Sequence, residues 1–288
     1  MKNFGRTPVC RRRLIYYAKM ALTLMEEDMV KPLPDMGIAQ LKFSMQMEGN
    51  GGSAADKAKL LEEMKKHNMV EYYKTVAKEL GWAEDGALVA EMEAKRKEKE
   101  AELQQQLENA EKNEGETEIK DALLAKAEYL VEMGDKKAAL EATAKTLEKT
   151  VGCGNRLDLV FMNIRLGLFF MDHAVIRENM DKAKQMIEEG GDWDRRNRLK
   201  VYEALYAMSV RDFARAAKLF LETVSTFTSY ELMDYKKFVV YTVYAGMIAL
   251  DRGELLEKVV RGSEIQEVRN GKNDFWGNLF NKFDLIHR

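Results

Sequence analysis

Apolar residues recur at helical spacing along most of this chain. From Asp35 onward they return every three or four positions, which places them on one face of a helix rather than on one side of a strand. Glycine and polar residues interrupt the pattern where one helix gives way to the next. The pattern first predicts helices over residues 35–47, 54–66, 69–80 and 87–114.

In the second half of the chain the pattern predicts helical hairpins of similar size. The returning helices of three successive hairpins carry Ala139, Ala183 and Ala216, which lie 44 and 33 residues apart. These spacings bracket the period of about 34 residues that is typical of tetratricopeptide repeats. The longer spacing predicts an insertion in the middle hairpin, around residues 172–180.

A fourth hairpin is predicted over residues 231–250 and 254–268, with a core stripe of Phe238, Tyr241, Ala245 and Ile248. A single hairpin leaves one apolar face uncovered, so the hairpins must stack on one another to bury it. We therefore predict an all-α fold, a tetratricopeptide-like helical-hairpin solenoid.

Residues 87–114 are dense in Glu, Lys and Gln and predict one long, largely solvated helix. Glu91 and Lys95 are spaced to pair along one helix face. A coiled-coil dimer is the alternative interpretation. It lacks a sustained apolar stripe, because Met92 and Leu103 are eleven residues apart with only alanines as apolar residues between them.

Proline use supports the helical prediction. Only three of the 288 residues are proline, and all lie within the first 34 positions. Because proline disrupts helix interiors, its absence from the rest of the chain favours helices.

Charge and hydropathy limit the classes of partner that the sequence predicts. The chain has 46 Lys and Arg against 48 Asp and Glu, a formal net charge of -2, which argues against nucleic acid as a partner. No apolar run approaches the roughly 18 residues that would span a bilayer, so no membrane partner is predicted.

Chemical motifs are scarce. The two cysteines and three histidines, Cys10, Cys153, His67, His173 and His287, have no zinc-site spacing. Residues 49–54 match the G-x-G-x-x-G/A dinucleotide pattern, but no strand precedes them, and we interpret them as a flexible interhelical loop. The sequence therefore predicts no enzyme, no metal, no cofactor and no small-molecule substrate. A hydrolase or nucleotide-binding enzyme is the alternative from another class.

One cluster of residue types suggests a protein-interaction surface. Trp, Tyr and Arg are enriched at binding hot spots, and they occur here at hairpin boundaries. The candidates are Trp193, Arg195, Arg196, Arg198, Tyr230, Glu231 and Tyr235. The alternative for the arginines is structural: a helix capped at Asp192 or Asp194 whose arginines form salt bridges with a neighbouring repeat. For Tyr235, the alternative is core packing.

Long runs of this sequence resemble the PCI-family subunits of the 26S proteasome lid. They include DALLAKAEYL at 121–130, GGDWDRRNRLKVY at 190–202 and STFTSYELMDYK at 225–236. The resemblance extends from about residue 31 to residue 268. It implies a non-catalytic scaffold in ubiquitin-dependent protein degradation, contacting other lid and base subunits in the cytoplasm and nucleus. A scaffold of a related PCI complex, either a signalosome or a translation-initiation factor, is the alternative.

The two ends depart from that resemblance. Residues 1–34 are expected to form a poorly ordered extension, and Arg11 to Arg13 before an apolar stretch leave a targeting signal as an alternative. Residues 269–288 are a divergent tail, so the solenoid is expected to be truncated before the PCI winged helix. Between these ends we predict N-terminal helices over 35–118 and repeats leading toward a PCI module over 119–268.

Overall fold

The computed structural model describes residues 30–47, 53–113 and 115–270 of the chain. Within these ranges, every regular element is helical and there is no strand. The chain divides into two compact units, Met1–Pro32 and Leu33–Arg288, and the first is described only at residues 30–32. The all-α prediction is confirmed for the part of the chain that the structure describes.

Four helices precede the hairpins: α1 (Met36–Met47), α2 (Ala54–Lys66), α3 (Val70–Leu80) and α4 (Gly86–Asn113). Ser53 begins α2 by accepting a hydrogen bond from the Asp56 backbone, as expected for a serine cap. Gly81 ends α3 in the left-handed conformation, which glycine adopts without strain. The interhelical loop predicted over residues 49–54 falls mostly outside the described residues.

The long charged helix α4 is largely exposed, as predicted, but it also has a buried seam. Leu103, Leu107 and Ala110 are buried, and α4 packs against the next helix of the same chain. This seam therefore packs against a helix of the same chain. Glu91 pairs with Lys95 at 2.8 Å, which confirms that predicted helix-face pair.

Three complete hairpins follow. They are formed by α5 (Glu116–Glu132) with α6 (Lys136–Lys149), α7 (Cys153–Phe170) with α8 (His173–Gly190), and α9 (Trp193–Ser209) with α10 (Phe213–Thr223). Asp135, Asp172 and Asp212 cap the returning helices, each accepting a backbone N–H of its own first turn. The same type of cap, an aspartate side chain, therefore begins each of the three returning helices.

The middle hairpin is longer than its neighbours, as the spacing predicted, but it contains no inserted loop. Asp172 caps α8, and the residues after it are the first turns of that helix. The extra length is in the helices themselves, since α7 and α8 have 18 residues each. Gly167 lets them approach, because a Cβ there would lie 2.8 Å from Cγ1 of Ile176.

The fourth pair is less regular than predicted. Helix α11 (Tyr235–Ala249) begins four residues later than expected, because Asp234 caps it. The return is divided into α12 (Arg252–Glu254), a π-helical turn (Leu255–Val260) and α13 (Ser263–Asn270). Phe238 and Ala245 are buried as predicted, but Ile248 is exposed and does not belong to the core stripe.

Small residues set the spacing between helices. Ala139, Ala183 and Ala216, the alanines that marked the repeats in the sequence, are all fully buried. Because alanine adds little side-chain bulk, facing helices can approach closely. One continuous core then runs from Leu157 to Ile265.

At the N-terminal end, the packed unit begins before the predicted boundary at residue 34. Pro34 is buried, and the Leu33 carbonyl accepts a hydrogen bond from Nε of Arg165 at 2.8 Å. The predictions for the N-terminal extension up to residue 29 and for the tail from 271 lie outside the described residues. None of the helices in the described ranges is long and apolar enough to cross a membrane.

Candidate protein-interaction site

Helix α9 carries most of the predicted site residues, and Asp192 fixes where it begins. Its Oδ1 accepts the backbone N–H of Arg195 at 2.8 Å, so Trp193 is the first helical residue. Since 3.6 residues make one turn, Arg195, Arg198 and Tyr202 then lie along one face of α9. This confirms the prediction of a cap at Asp192 or Asp194.

Helix α7 presents a matching row of side chains. Asp158, Phe161 and Arg165 have the same three- and four-residue spacing as the row on α9. Arg165 is fully buried among apolar side chains of the second half of α7. A buried guanidinium needs partners, because desolvating an unpaired charge is costly, and α9 supplies them.

The two rows meet in a set of contacts that we call the ionic ladder, formed by Asp158, Phe161 and Arg165 on α7, by Arg195, Arg198 and Tyr202 on α9, and by Glu231. At one end, Nη2 of Arg195 lies 2.7 Å from Oδ2 of Asp158, and Nη1 of Arg198 lies 3.0 Å from Oδ1. A Cβ at position 154 would lie 2.9 Å from Cζ of Arg195, so glycine there leaves room for the guanidinium.

At the other end, Glu231 completes the ionic ladder from the loop before α11. Its Oε1 accepts hydrogen bonds from Nη2 of Arg198 at 3.0 Å and from the hydroxyl of Tyr202 at 3.0 Å. Tyr202 in turn accepts a hydrogen bond from Nη1 of Arg165 at 2.8 Å. The salt bridges predicted with a neighbouring repeat are therefore confirmed for Arg195 and Arg198, which pair with Asp158 of α7, but not for Arg196.

The ring of Phe161 fills the centre of the ionic ladder. It stacks on Tyr202 at 5.0 Å between ring centroids, and the Arg198 guanidinium lies 5.1 Å from its centroid. This arrangement combines a cation–π contact with aromatic stacking in a desolvated site.

Neighbouring charges and burial shift the pKa values of Arg198 and Tyr202. Burial disfavours the charged form of Arg198, but the Glu231 carboxylate and Asp158 outweigh it and raise the pKa of Arg198. Burial raises the pKa of the Tyr202 hydroxyl, against the opposing charge of Arg165. At neutral pH, Arg198 is therefore a cation and Tyr202 a neutral donor.

The loop that carries Glu231 is anchored by aromatic rings. Phe227 is buried and contacts Tyr230 at 5.2 Å and Phe238 at 4.5 Å between ring centroids. Tyr235 is half-buried, and its hydroxyl donates to the Val224 carbonyl at 3.2 Å. These contacts favour the core-packing alternative for Tyr235.

The predicted site residues thus divide into two sets. Arg198 and Glu231 are buried and pair with each other, which corrects the expectation that they lie on a surface. Arg195 is mostly covered by its two aspartate partners. Trp193 is 64% exposed and Tyr230 is 55% exposed, and Arg196 is exposed with no ion pair among the described residues.

The exposed members share one edge of the solenoid. Because helices in a stack of hairpins alternate in direction, the α6–α7, α8–α9 and α10–α11 connections lie on the same edge. Val151, in the first of these connections, is 91% exposed. We call Val151, Trp193, Arg196 and Tyr230 the edge surface. The ionic ladder links α7 and α9 to Glu231 in the last of these connections.

Asp158, Arg165 and Tyr202 were missed as partners of the predicted residues. A signal was present, because an arginine in the mostly apolar second half of α7 needs hydrogen-bond acceptors when it is buried. The repeated spacing of 158, 161 and 165 with 195, 198 and 202 indicated which helix supplies the partners.

The residues considered for metal binding are dispersed. Nδ1 of His67 lies 2.7 Å from Oε1 of Glu132, His173 contacts the ring of Tyr206, and Cys153 is half-buried beside the Met186 carbonyl. Within the described ranges, no three His, Cys, Asp or Glu side chains form a group that could hold a metal ion. Cys10 and His287 lie outside the described residues.

Replacing Asp192 by alanine should lower the free energy of unfolding by about 1 kcal/mol, since α9 loses its cap. The pKa of Asp192 lies below its ordinary value, mainly because the Arg195 backbone N–H donates to the carboxylate. The charged form therefore stabilises the folded state at neutral pH, and this contribution is lost as the pH falls through the pKa in the folded state. Urea unfolding from pH 3 to pH 7 measures the effect.

Two variants separate capping from charge in this prediction. Asp192→Asn keeps a capping oxygen, so it should lose less stability than Asp192→Ala at pH 7 and approach the parent chain at acidic pH. Asp194→Ala removes a neighbouring acid that is not the cap, and its effect should stay within about 0.5 kcal/mol. An equal loss in Asp192→Ala and Asp194→Ala would contradict the capping role.

Comparison with known proteins shows which family contains the residues of this site. A family model described as 26S proteasome subunit RPN7 matches residues 85–258, which include α7, α9 and Glu231. This range contains the ionic ladder and the edge surface.

Several curated proteins are similar over most of this chain. The 26S proteasome non-ATPase regulatory subunit 6 of Caenorhabditis elegans is 45% identical over 248 residues, which cover 85% of this chain and 60% of that protein. Its counterpart in Dictyostelium discoideum is 42% identical over 244 residues, 85% of this chain and 64% of that protein. The regulatory subunit rpn7 of Schizosaccharomyces pombe is 33% identical over 245 residues, 83% and 61% respectively. This chain spans about three-fifths of the length of these relatives.

Proposed function

Because this chain belongs to the 26S proteasome subunit RPN7 family, we propose that it is a non-catalytic scaffold subunit of the lid of the proteasome regulatory particle. It acts through protein contacts in ubiquitin-dependent protein degradation. Its partners are other lid and base subunits, and its location is the cytoplasm and nucleus. The names of its relatives, which are proteasome regulatory subunits, support this proposal.

The edge surface is the observation that carries the proposal. Large apolar side chains are normally covered, and exposed ones that share a surface mark interaction sites. Trp193, Arg196 and Tyr230 belong to the residue types that dominate binding energy at protein interfaces.

The ionic ladder supports a scaffold rather than a catalyst. Its two carboxylates are engaged by Arg195 and Arg198, as in the pairing of Arg198 with Glu231 at 3.0 Å. Such a network holds helices and a loop in one arrangement, which presents Trp193 and Tyr230 on a rigid support. A rigid interaction surface loses less conformational entropy on binding.

Affinity capture of the tagged, full-length chain from cells tests this function. Quantitative mass spectrometry should recover regulatory-particle subunits with the parent chain. The double variant Trp193→Ala and Tyr230→Ala should recover about tenfold less, because truncating two hot-spot residues removes at least 1–2 kcal/mol of binding energy. Both side chains are exposed, so the melting temperature should stay within a few degrees of the parent value.

The opposite edge of the solenoid supplies a matched control. Met171 and Val210 are 55% and 44% exposed in the α7–α8 and α9–α10 turns, so Met171→Ala with Val210→Ala removes similar apolar surface elsewhere. This control should recover subunits as well as the parent chain does. Equal losses in both double variants would contradict the edge surface as the site, and a parent chain that captures no regulatory-particle subunit would contradict the proposed function.

A further inference from the structure

A second surface lies away from the edge surface, where α4, α5 and α6 enclose a groove of about 730 Å³. Its volume is in the range of clefts that bind ligands. The groove is formed by the long charged helix and the first hairpin, and it shares no residue with the ionic ladder.

The groove has an apolar floor. Leu103 and Leu107 of α4 line it together with Leu123 of α5 and Ala142 of α6. Leu123 and Ala142 are only half-buried, so apolar area remains open to a partner. Burying this area would favour association by roughly 25 cal/mol for each Å².

The rim of the groove is basic. Lys97, Lys126 and Lys145 line it, one from each of the three helices. Lys126 donates to the neutral side chain of Gln104 at 2.9 Å, and Lys97 and Lys145 make no ion pair among the described residues. Among the described residues that line the groove, Glu141 is the carboxylate that makes no ion pair. The three lysines outnumber it, so the rim has an excess of positive charge.

Arg96 at the rim is already engaged by two carboxylates. Its Nε lies 2.8 Å from Oε1 of Glu100, and its Nη2 lies 3.2 Å from Oδ2 of Asp135. Among the other charged lining residues, three lysines stand against the single carboxylate of Glu141. A ring of lysines around a leucine floor complements carboxylates that flank apolar side chains.

We propose that this groove binds an amphipathic helix of a protein partner whose leucine-like side chains enter the floor and whose flanking carboxylates meet Lys97, Lys126 and Lys145. When a helix binds in a groove, its apolar residues at i, i+3, i+4 and i+7 are the ones that enter the groove. The bound helix completes a layer with α4 and α6 and covers the apolar strip between them. This proposal goes beyond the proposed scaffold function, because it stands on the groove alone and needs no contact at the edge surface.

Fluorescence anisotropy with three labelled 18-residue peptides tests the proposal on the full-length chain. The first peptide has a leucine stripe flanked by glutamates, the second replaces each glutamate by lysine, and the third has the first composition with the stripe scrambled. The first should bind, and the other two should bind at least about tenfold more weakly, because like charge or a lost apolar face opposes docking.

Charge reversal in the protein locates the bound peptide. The triple variant Lys97→Glu, Lys126→Glu and Lys145→Glu should weaken binding of the first peptide about tenfold or more and favour the second. Lys218, Lys236 and Lys237 are exposed, lie outside the groove and make no ion pair in the described ranges, so reversing these three is a control of identical net charge. The control should bind the first peptide as the parent chain does.

Three outcomes would overturn the proposal. Equal weakening by both triple variants would show general electrostatic attraction instead of a site, and tighter binding of a single-stranded RNA of the same length than of the first peptide would show a polyanion site. The double variant Trp193→Ala and Tyr230→Ala should leave peptide binding unchanged. If this double variant lost peptide binding, the peptide would lie on the edge surface and the groove would be contradicted. If the parent chain bound the peptide but captured no regulatory-particle subunit, only the proposed scaffold function would be contradicted.

Discussion

Replacing Arg198 by alanine is expected to lower the free energy of unfolding by about 3 to 5 kcal/mol, the cost of breaking a buried ion pair from one side. Glu231 would be left buried, with the hydroxyl of Tyr202 as its remaining partner in the ionic ladder. The guanidinium contact with Phe161 would also be lost. Urea unfolding followed by circular dichroism measures this change.

Arg196 is the matched control, because it lies two residues earlier in the same helix and is exposed. Arg196→Ala should change stability by no more than about 0.5 kcal/mol. The double variant Arg198→Ala with Glu231→Ala should lose less than the sum of the two single losses, since no buried carboxylate is then left unpaired at that point. Additive losses, or an Arg198→Ala effect as small as that of Arg196→Ala, would contradict the ionic ladder.

Truncation of Phe220 to alanine is expected to cost about 3 to 5 kcal/mol, because it opens a cavity where the third and fourth hairpins meet. Phe220 of α10 is fully buried and meets Phe238 of α11 edge-to-face, at 5.4 Å between ring centroids. Phe227 contacts the same ring of Phe238. The loop that carries Tyr230 and Glu231 should therefore loosen together with the core.

Thermal and urea unfolding of two companion variants check this prediction. Phe220→Leu retains most of the apolar volume and should lose clearly less than Phe220→Ala. Lys218→Ala, an exposed substitution in the same helix, should stay within about 0.5 kcal/mol of the parent chain. Comparable losses in Phe220→Ala and Lys218→Ala would show that the α10–α11 contact contributes little to stability.

Much of the fold was predictable because the signals that define a helix, its apolar spacing and its capping residues, lie within the helix or next to it. The predicted range 54–66 is the helix Ala54–Lys66, and the predicted range 87–114 begins one residue after the observed start of Gly86–Asn113. Caps such as Asp192 are read from neighbouring residues, since the side chain bonds to a backbone group three residues away. The middle hairpin was harder, because spacing alone does not distinguish an inserted loop from longer helices.

The candidate site was only half predictable, because residue type does not report burial. Trp193 and Arg198 belong to the same hot-spot class and the same helix, yet the first is exposed and the second is buried. They are five residues apart, which is not a whole number of helical turns, so their side chains point in different directions. Which direction faces the interior depends on α7 and on the loop of Glu231, and both lie far away in sequence.

By itself, the amino-acid sequence determined that this chain forms stacked helical hairpins, where its first four helices lie, and which lid subunits it resembles. Helical periodicity, capping residues and the absence of proline after Pro34 are local properties, so they need no knowledge of distant neighbours. The tertiary structure alone decided that Arg198 and Glu231 pair inside the protein and that Trp193 and Tyr230 remain outside. It also brought Lys97, Lys126 and Lys145 around one groove, because charges from separate helices come together only when those helices have packed.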